Sequence, residues 1–147
     1  MTIHQTEAAK RRIAPSTAAV AGVLTAMVYE HTFNAAYASA TDVIEMGSFP
    51  ARTQLHSVDI IGAGVGAVTA DVGFLSGAEG DSHDDTREVS PDFLSAADIN
   101  NATASAGAAA CLAVPRQPRN TGIGVALSGD VAAGAAKKIT LVLTYYA

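Results

Sequence analysis

The sequence predicts an all-β fold, an antiparallel β-sandwich or jelly roll of about eight short strands. Between Thr41 and Gly77, three β-type segments follow one another, separated by glycines and one Phe-Pro turn, with no helical pattern between them. Turn residues recur at short intervals in the rest of the chain, and strands do not alternate with helices. A chain of 147 residues is long enough for one such domain.

The strands of the first half can be placed from β-favouring residues and from alternation. They are predicted at 28–39, 42–46, 52–61 and 68–75. Pro50 belongs at a strand end, because it has no N–H to donate to a neighbouring strand. In the third strand Leu55 is out of phase with Val58 and Ile60, which predicts a β-bulge near His56 and Ser57.

The second half is predicted to contain one short helix and three strands. The helix is expected at 90–98, because Ser90 can cap it, Pro91 suits its first position and Asp92 suits its positive end. The strands are expected at 108–114, 122–127 and 138–146. The last strand alternates most cleanly, and one face should carry Ile139, Leu141, Leu143 and Tyr145.

Composition narrows the class of partner. The formal net charge is −5, which argues against nucleic acid, because phosphate binding needs clustered Lys and Arg. Only 5% of the residues are aromatic, so a bound partner should meet a broad surface or an extended arm rather than a few large anchors. The single Cys111 lies in an apolar run and is expected to be a buried small hydrophobe. No apolar run approaches the roughly 20 residues of a membrane span.

Residues 1–26 are predicted to form an extended N-terminal arm, and residues 27–147 the β-sandwich domain. The arm carries a basic cluster, Lys10, Arg11 and Arg12, followed by small apolar residues. A solvated tail and an arm that docks on an acidic neighbour are both compatible with this pattern. The downstream apolar residues make docking plausible beside the solvated tail, because disordered tails are usually poorer in Val, Leu and Met.

No group of residues predicts catalysis, a cofactor or a metal, and we expect the protein not to be an enzyme. The acidic loop 81–85 lacks the ligand spacing of an EF-hand and is predicted to be solvated or part of an interface. Ser82, His83 and Asp84 are adjacent, so they cannot adopt the geometry of a catalytic triad. The glycine-rich stretch 62–67 is followed by a strand instead of a helix, so we predict a turn rather than a dinucleotide loop.

The N-terminal pattern also imitates a secretory signal peptide. A basic cluster precedes the apolar run 18–28, and Ala-x-Ala sequences follow near residue 40. Glu7 within the basic region, Pro15 before the apolar run and Glu30 after it argue against that interpretation. A secreted or surface β-sandwich adhesion module, cleaved near residue 40, is therefore kept as an alternative.

Four segments, in this order along the chain, resemble the head decoration (cement) proteins of tailed bacteriophages. They are Thr-Asp-Val-Ile-Glu-Met-Gly-Ser-Phe-Pro-Ala at 41–51, Ala-Asp-Val-Gly-Phe at 70–74, Asp-Phe-Leu-Ser-Ala-Ala at 92–97, and the closing Gly-Asp-Val-Ala-Ala-Gly and Ile-Thr-Leu-Val-Leu-Thr-Tyr-Tyr at 129–146. Each motif is short, and their order is the more specific signal. The resemblance covers roughly 28–147 and leaves the arm unmatched.

The resemblance implies a jelly-roll-type protein on the outer surface of a phage head, made in the cytoplasm of the bacterial host. Members often form trimers at local three-fold positions and hold neighbouring major capsid proteins together, which implies a homotrimer here. Many repeated modest contacts would supply avidity. By similarity to that family, the N-terminal arm would reach over adjacent capsid subunits. The side chains expected to contact the partner are Lys10, Arg11, Arg12, Val23, Leu24, Met27, Phe49 and Pro50. A tail or head-fibre component is a further alternative.

Overall fold

Two β-sheets packed face to face form the fold, as the sequence predicts. The structure is a computed structural model, and it describes residues 1–10 and 23–147. The described strands are β1 (Ile3–Gln5), β2 (Thr25–Thr32), β3 (Val43–Phe49), β4 (Gln54–Ala63), β5 (Thr69–Leu75), β6 (Leu94–Asp98), β7 (Thr103–Ala106), β8 (Thr121–Leu127) and β9 (Lys138–Tyr146). Two single helical turns, α1 (Glu7–Lys10) and α2 (Ala108–Cys111), complete the described elements.

One sheet has five strands in the order β1-β3-β8-β5-β6, and the other has four in the order β2-β9-β4-β7. Neighbouring strands are antiparallel, with the exception of β1 and β3, which run parallel. Because several neighbours in these orders are distant in sequence, each sheet depends on long-range pairing.

Two predicted details of the strands are confirmed. Strand β9 occupies the predicted range, and its four predicted inward residues each expose 0% of their surface. The register between β4 and β9 shifts between Leu55 and Ser57, where the phase of the sequence called for a bulge. The extra residue lets Leu55 and Val58 both point into the core, where they are 1% and 0% exposed.

The predicted helix at 90–98 is wrong. The segment instead runs extended, and its second half is β6, paired with β5. Phe93, Ala97 and Ile99 are buried at even spacing, so burial against the sheet follows the period of a strand. The capping signals at Ser90 and Pro91 are local, and the buried apolar contacts of the extended form outweigh them.

The predicted strand at 108–114 is also wrong, because Ala108–Cys111 forms the helical turn α2. Cys111 and Val114 are the buried residues of this segment, 1% and 5% exposed, and their spacing of three is that of a helix. The three alanines of α2 favour this conformation. Burial of Cys111 is confirmed.

The first ten residues are not detached from the sandwich. Strand β1 joins the edge of the five-stranded sheet, and Ala9 of α1 is 5% exposed. The second strand begins at Thr25, close to the predicted boundary between residues 26 and 27. The rest of the predicted arm, residues 11–22, lies outside the described residues. The division into an arm and a domain therefore stays a prediction.

Candidate interaction surfaces

The N-terminal strand is held by a buried carboxylate at the start of β3. Asp42 accepts a hydrogen bond from the backbone N–H of Thr2 (2.9 Å), and its other carboxylate oxygen lies 2.9 Å from Nε2 of His4. It also accepts a hydrogen bond from the N–H of Ala38 at 3.0 Å. Burial opposes ionisation of Asp42, but these hydrogen bonds outweigh it and lower its pKa to about 2.

A cleft of about 450 Å³ separates β1 and α1 from strand β2. Its lining includes His4, Lys10, Glu30 and His31. His31 is 8% exposed, and its Nε2 atom has no hydrogen-bond partner in the described part of the chain. Burial, then the neighbouring His4, then Lys10 lower the pKa of His31 to about 4, so its ring is neutral at pH 7.

Of the predicted basic cluster, only Lys10 lies within the described residues. Its ammonium is 3.3 Å from the carboxylate of Glu7, and both side chains are more than half exposed. Arg11 and Arg12 lie outside the described ranges. The predicted docking role of this cluster remains a prediction.

The predicted apolar contacts of the arm are exposed where they precede β2. Val23 is 52% and Leu24 is 50% exposed, whereas Met27 is half-buried and packs against the core. Val28, which the prediction omitted, is 64% exposed on the outer side of the four-stranded sheet. Its register partner on β9 is Val142, so the two form an apolar cross-strand pair on this face, and Asp59 of β4 follows Val142 in the same row. Strand alternation around the buried Tyr29 was the signal that could have found Val28.

Phe49 does not lie on a surface. It is 1% exposed and its ring makes edge contacts with Phe74 and Tyr145, at centroid distances of 5.8 and 5.6 Å. Pro50, next to it, is also buried. In this chain both residues are buried, and Phe49 belongs to the hydrophobic core. Neither side chain is exposed for the predicted contact with a partner.

The acidic loop after β5 is organised around a buried ion pair that the sequence did not reveal. Arg87 and Glu45 are each 1% exposed, and two N–H groups of the guanidinium donate to the two carboxylate oxygens at 3.0 and 2.9 Å. The guanidinium also donates to the backbone carbonyl oxygens of Ser76 and Asp81, at 2.8 and 2.7 Å. Glu45 further accepts the N–H of Gly80 at 2.8 Å.

Within the same loop, the backbone of His83 and the side chain of Asp84 make local hydrogen bonds. The backbone N–H of His83 donates to Asp81, and Asp84 accepts hydrogen bonds from the N–H and hydroxyl of Thr86. These hydrogen bonds hold the loop in tight turns. Among the described residues, no three His, Cys, Asp or Glu side chains are placed to hold a metal ion.

The outer faces of the two sheets differ. The outer face of the five-stranded sheet is covered by the segment after β5: a Cβ on Gly73 would lie 1.7 Å from the carbonyl oxygen of Ser90, and one on Gly124 would lie 2.7 Å from Val89. The four-stranded sheet instead exposes Val28 and Ile61, which is 39% exposed. In the described ranges, no helix is long and apolar enough to cross a membrane.

The fold recurs in phage capsids. A chain in the capsid of Ralstonia phage GP4 is similar with a TM-score of 0.85 and 24% sequence identity, over 98% of this chain and 97% of that one. A chain in the capsid asymmetric unit of cyanophage Pam1 is similar with a TM-score of 0.59 and 18% identity, over 96% of each chain.

A third similar chain belongs to the acid-stable capsid of Helicobacter pylori bacteriophage KHP30, with a TM-score of 0.51 and 14% identity, over 87% of this chain and 90% of that one. No protein-family model and no curated protein sequence matches the chain. At these identities the likeness establishes a shared fold.

Proposed function

We propose that the protein is a structural component of a phage virion, and specifically a decoration protein on the outer surface of the head. The observation that carries the proposal is the TM-score of 0.85 to a chain of the Ralstonia phage GP4 capsid, with nearly complete coverage of both chains. A similarity over the full length suits a protein whose whole fold is used in the same assembly. The order of the sequence motifs at 41–51, 70–74, 92–97 and 129–146 supports the same assignment.

In this role the protein binds the major capsid protein, associates with itself as a homotrimer and clamps neighbouring capsid subunits. The exposed residues Val23, Leu24 and Val28 offer modest apolar contacts, which repetition over a symmetric shell converts into avidity. The buried Arg87–Glu45 pair anchors the loop after β5 to β3. If this loop contacts the capsid, such ordering in advance would reduce the entropy lost on binding.

The test is reconstitution with phage heads that lack this protein. Purified protein is added to such heads, and its occupancy and position are measured by sedimentation and electron cryomicroscopy. We expect saturable binding on the outside of the head and a higher temperature of head disruption. Matched heads that already carry the protein are the control, since their sites are filled. Binding confined to tails or fibres, or to neither, would contradict the proposal.

A further inference from the structure

Three arginines lie on two neighbouring loops at one end of the sandwich. Arg52 lies in the turn between β3 and β4, and Arg116 and Arg119 lie in the loop that precedes β8. A guanidinium N–H of Arg116 donates to the backbone oxygen of Arg52 at 2.9 Å, so the two loops are in direct contact. Arg52, Arg116 and Arg119 are all exposed. We call these three residues the arginine end.

The backbone of the arginine end is locked across the two loops. The N–H of Arg52 donates to the carbonyl oxygen of Gln117 at 2.7 Å, and the N–H of Ala51 donates to the side-chain oxygen of Asn120 at 2.9 Å. Arg52 has a φ of 61°, a left-handed conformation that residues other than glycine seldom adopt. These bonds hold the unusual turn, and such turns are found more often at functional sites than elsewhere.

The three guanidinium groups form no salt bridge with any carboxylate of the described residues. The guanidinium carbon of Arg116 lies 5.9 Å from the centroid of the Tyr146 ring, a contact that restricts the side chain. Guanidinium groups bind carboxylates through paired N–H donors, and restricting them in advance reduces the entropy lost on binding. The paired hydrogen bonds between Arg87 and the carboxylate of Glu45 are an example of this geometry within the protein.

Exposed apolar side chains lie at the same end. Leu112, just after α2, is 57% exposed, and α2 is tied to the start of β4 because the amide of Gln54 donates to the carbonyl oxygen of Cys111 at 3.0 Å. Val23 and Leu24 precede Thr25, which pairs with the end of β9. Arginine mixed with apolar side chains is typical of protein interfaces.

We propose that the arginine end docks on a carboxylate-bearing surface of the major capsid protein. This inference rests on the proposed function and names a contact surface separate from the Lys10–Arg12 cluster. A protein partner is favoured over nucleic acid, because the net charge of the chain is −5 and Glu79 lines the same depression as Arg119. A carboxylate at this place would repel a chain of phosphates, whereas a partner surface can avoid it.

The test compares two variants that remove the same charge. R116Q/R119Q neutralises two positions of the arginine end, and K137Q/K138Q neutralises two lysines near the start of β9, at the opposite end of the sandwich. Binding to heads lacking the protein is measured at low and physiological salt. We expect R116Q/R119Q to bind about tenfold more weakly and to lose most of the salt dependence, since exposed charge pairs are screened by salt. K137Q/K138Q should bind like the unchanged protein.

Equal binding by both variants, or equal weakening, would overturn the inference without touching the proposed function, provided the unchanged protein binds heads. If the unchanged protein does not bind heads, the proposed function fails, and titration with poly-L-glutamate decides about the arginine end. Binding of that peptide that R116Q/R119Q loses would support a carboxylate site. Failure of the unchanged protein to bind poly-L-glutamate would contradict a carboxylate partner, and so would tighter binding of a single-stranded oligonucleotide. A lower native mass of R116Q/R119Q would also contradict it, because the arginine end would then bind a second copy of the chain.

Discussion

Arg87 and Glu45 bring two full charges into the interior, with 1% of each residue exposed. Removing a charge from water costs several kcal/mol, and paired hydrogen bonds in good geometry offset that cost. Further hydrogen bonds surround the pair: Arg87 donates to two backbone carbonyl oxygens, and the side-chain amide of Gln5 donates to Glu45 at 2.6 Å. Either residue without the other would leave an uncompensated buried charge.

We therefore expect Glu45→Gln to lower the free energy of unfolding by about 3 kcal/mol, because Arg87 would lose its counter-ion. The measurement is urea denaturation at pH 7. The matched control is Glu30→Gln, which removes one partner of the exposed pair with Lys138 (3.4 Å) and should cost less than about 1 kcal/mol. Similar small losses in both variants would show that the buried pair has little importance for stability.

His31 makes stability depend on pH. In the unfolded chain its pKa is near 6.5, and in the fold it is about 4, so the unfolded state binds more protons between these values. The free energy of unfolding must then fall as the pH is lowered from 6.5 to 4, by at most about 3 kcal/mol from this group. Asp42, with its pKa lowered to about 2, adds a further loss below pH 4.

We expect His31→Gln to flatten the fall in the free energy of unfolding between pH 6.5 and pH 4.5. Urea denaturation at both values measures the slope, which stays interpretable even if the variant is less stable throughout. His83→Gln, a change at an exposed histidine of the acidic loop, should leave the slope unaltered. An unaltered slope in His31→Gln would contradict the assignment of the acid sensitivity to this ring.

Secondary structure could be predicted from the sequence where burial follows the strand period within one element. Strand β9 and the bulge at Leu55 and Ser57 are examples, because alternation alone identifies the inward face. The prediction of a helix at 90–98 failed, because pairing with β5 imposes an extended form on this segment. The pairing of β1 with β3 could not be predicted, because a parallel partner 40 residues away leaves no local pattern.

Close packing of the segment after β5 depends on a glycine in that strand. A Cβ on Gly73 would meet the carbonyl oxygen of Ser90 at 1.7 Å, so Gly73→Ala must push the covering segment away. We expect a loss of about 1–3 kcal/mol in the free energy of unfolding and faster proteolysis at 88–93. Gly107→Ala is the control, because its Cβ would have no atom within 4 Å and its φ is −86°. Equal stability of both variants would refute the close approach.

At the scale of the whole molecule, the fold class could be read from turn spacing and alternation, but the contact surfaces could not. Phe49 and Pro50 belong to a motif of the resembling family, yet they are buried in this chain. The arginine end unites residues more than 60 positions apart, and only the folded chain brings Arg52 and Arg116 together. Surface sites that are assembled by long-range pairing cannot be predicted from a periodic sequence pattern.

Self-association as a homotrimer is a prediction about the whole molecule. One chain has a mass of 14.9 kDa, so light scattering of the purified protein should give about 45 kDa for a homotrimer. A mass that falls towards one chain on dilution would fit weak subunit contacts that the capsid reinforces. A single-chain mass at every concentration, with no trimer on decorated heads, would contradict the trimer.

The acidic loop after β5 is closed at its base, and this makes it a natural place to carry foreign sequence. The N–H of Ser76 donates to the carbonyl oxygen of Glu88 at 3.0 Å, and the N–H of Glu88 donates to the hydroxyl of Ser76 at 2.8 Å. Lengthening a loop whose ends are already fixed costs little, about 0.6 kcal/mol for each doubling. A peptide inserted between Ser82 and His83 should then leave the sandwich intact, and if the protein decorates heads as proposed, the peptide would be displayed once per copy.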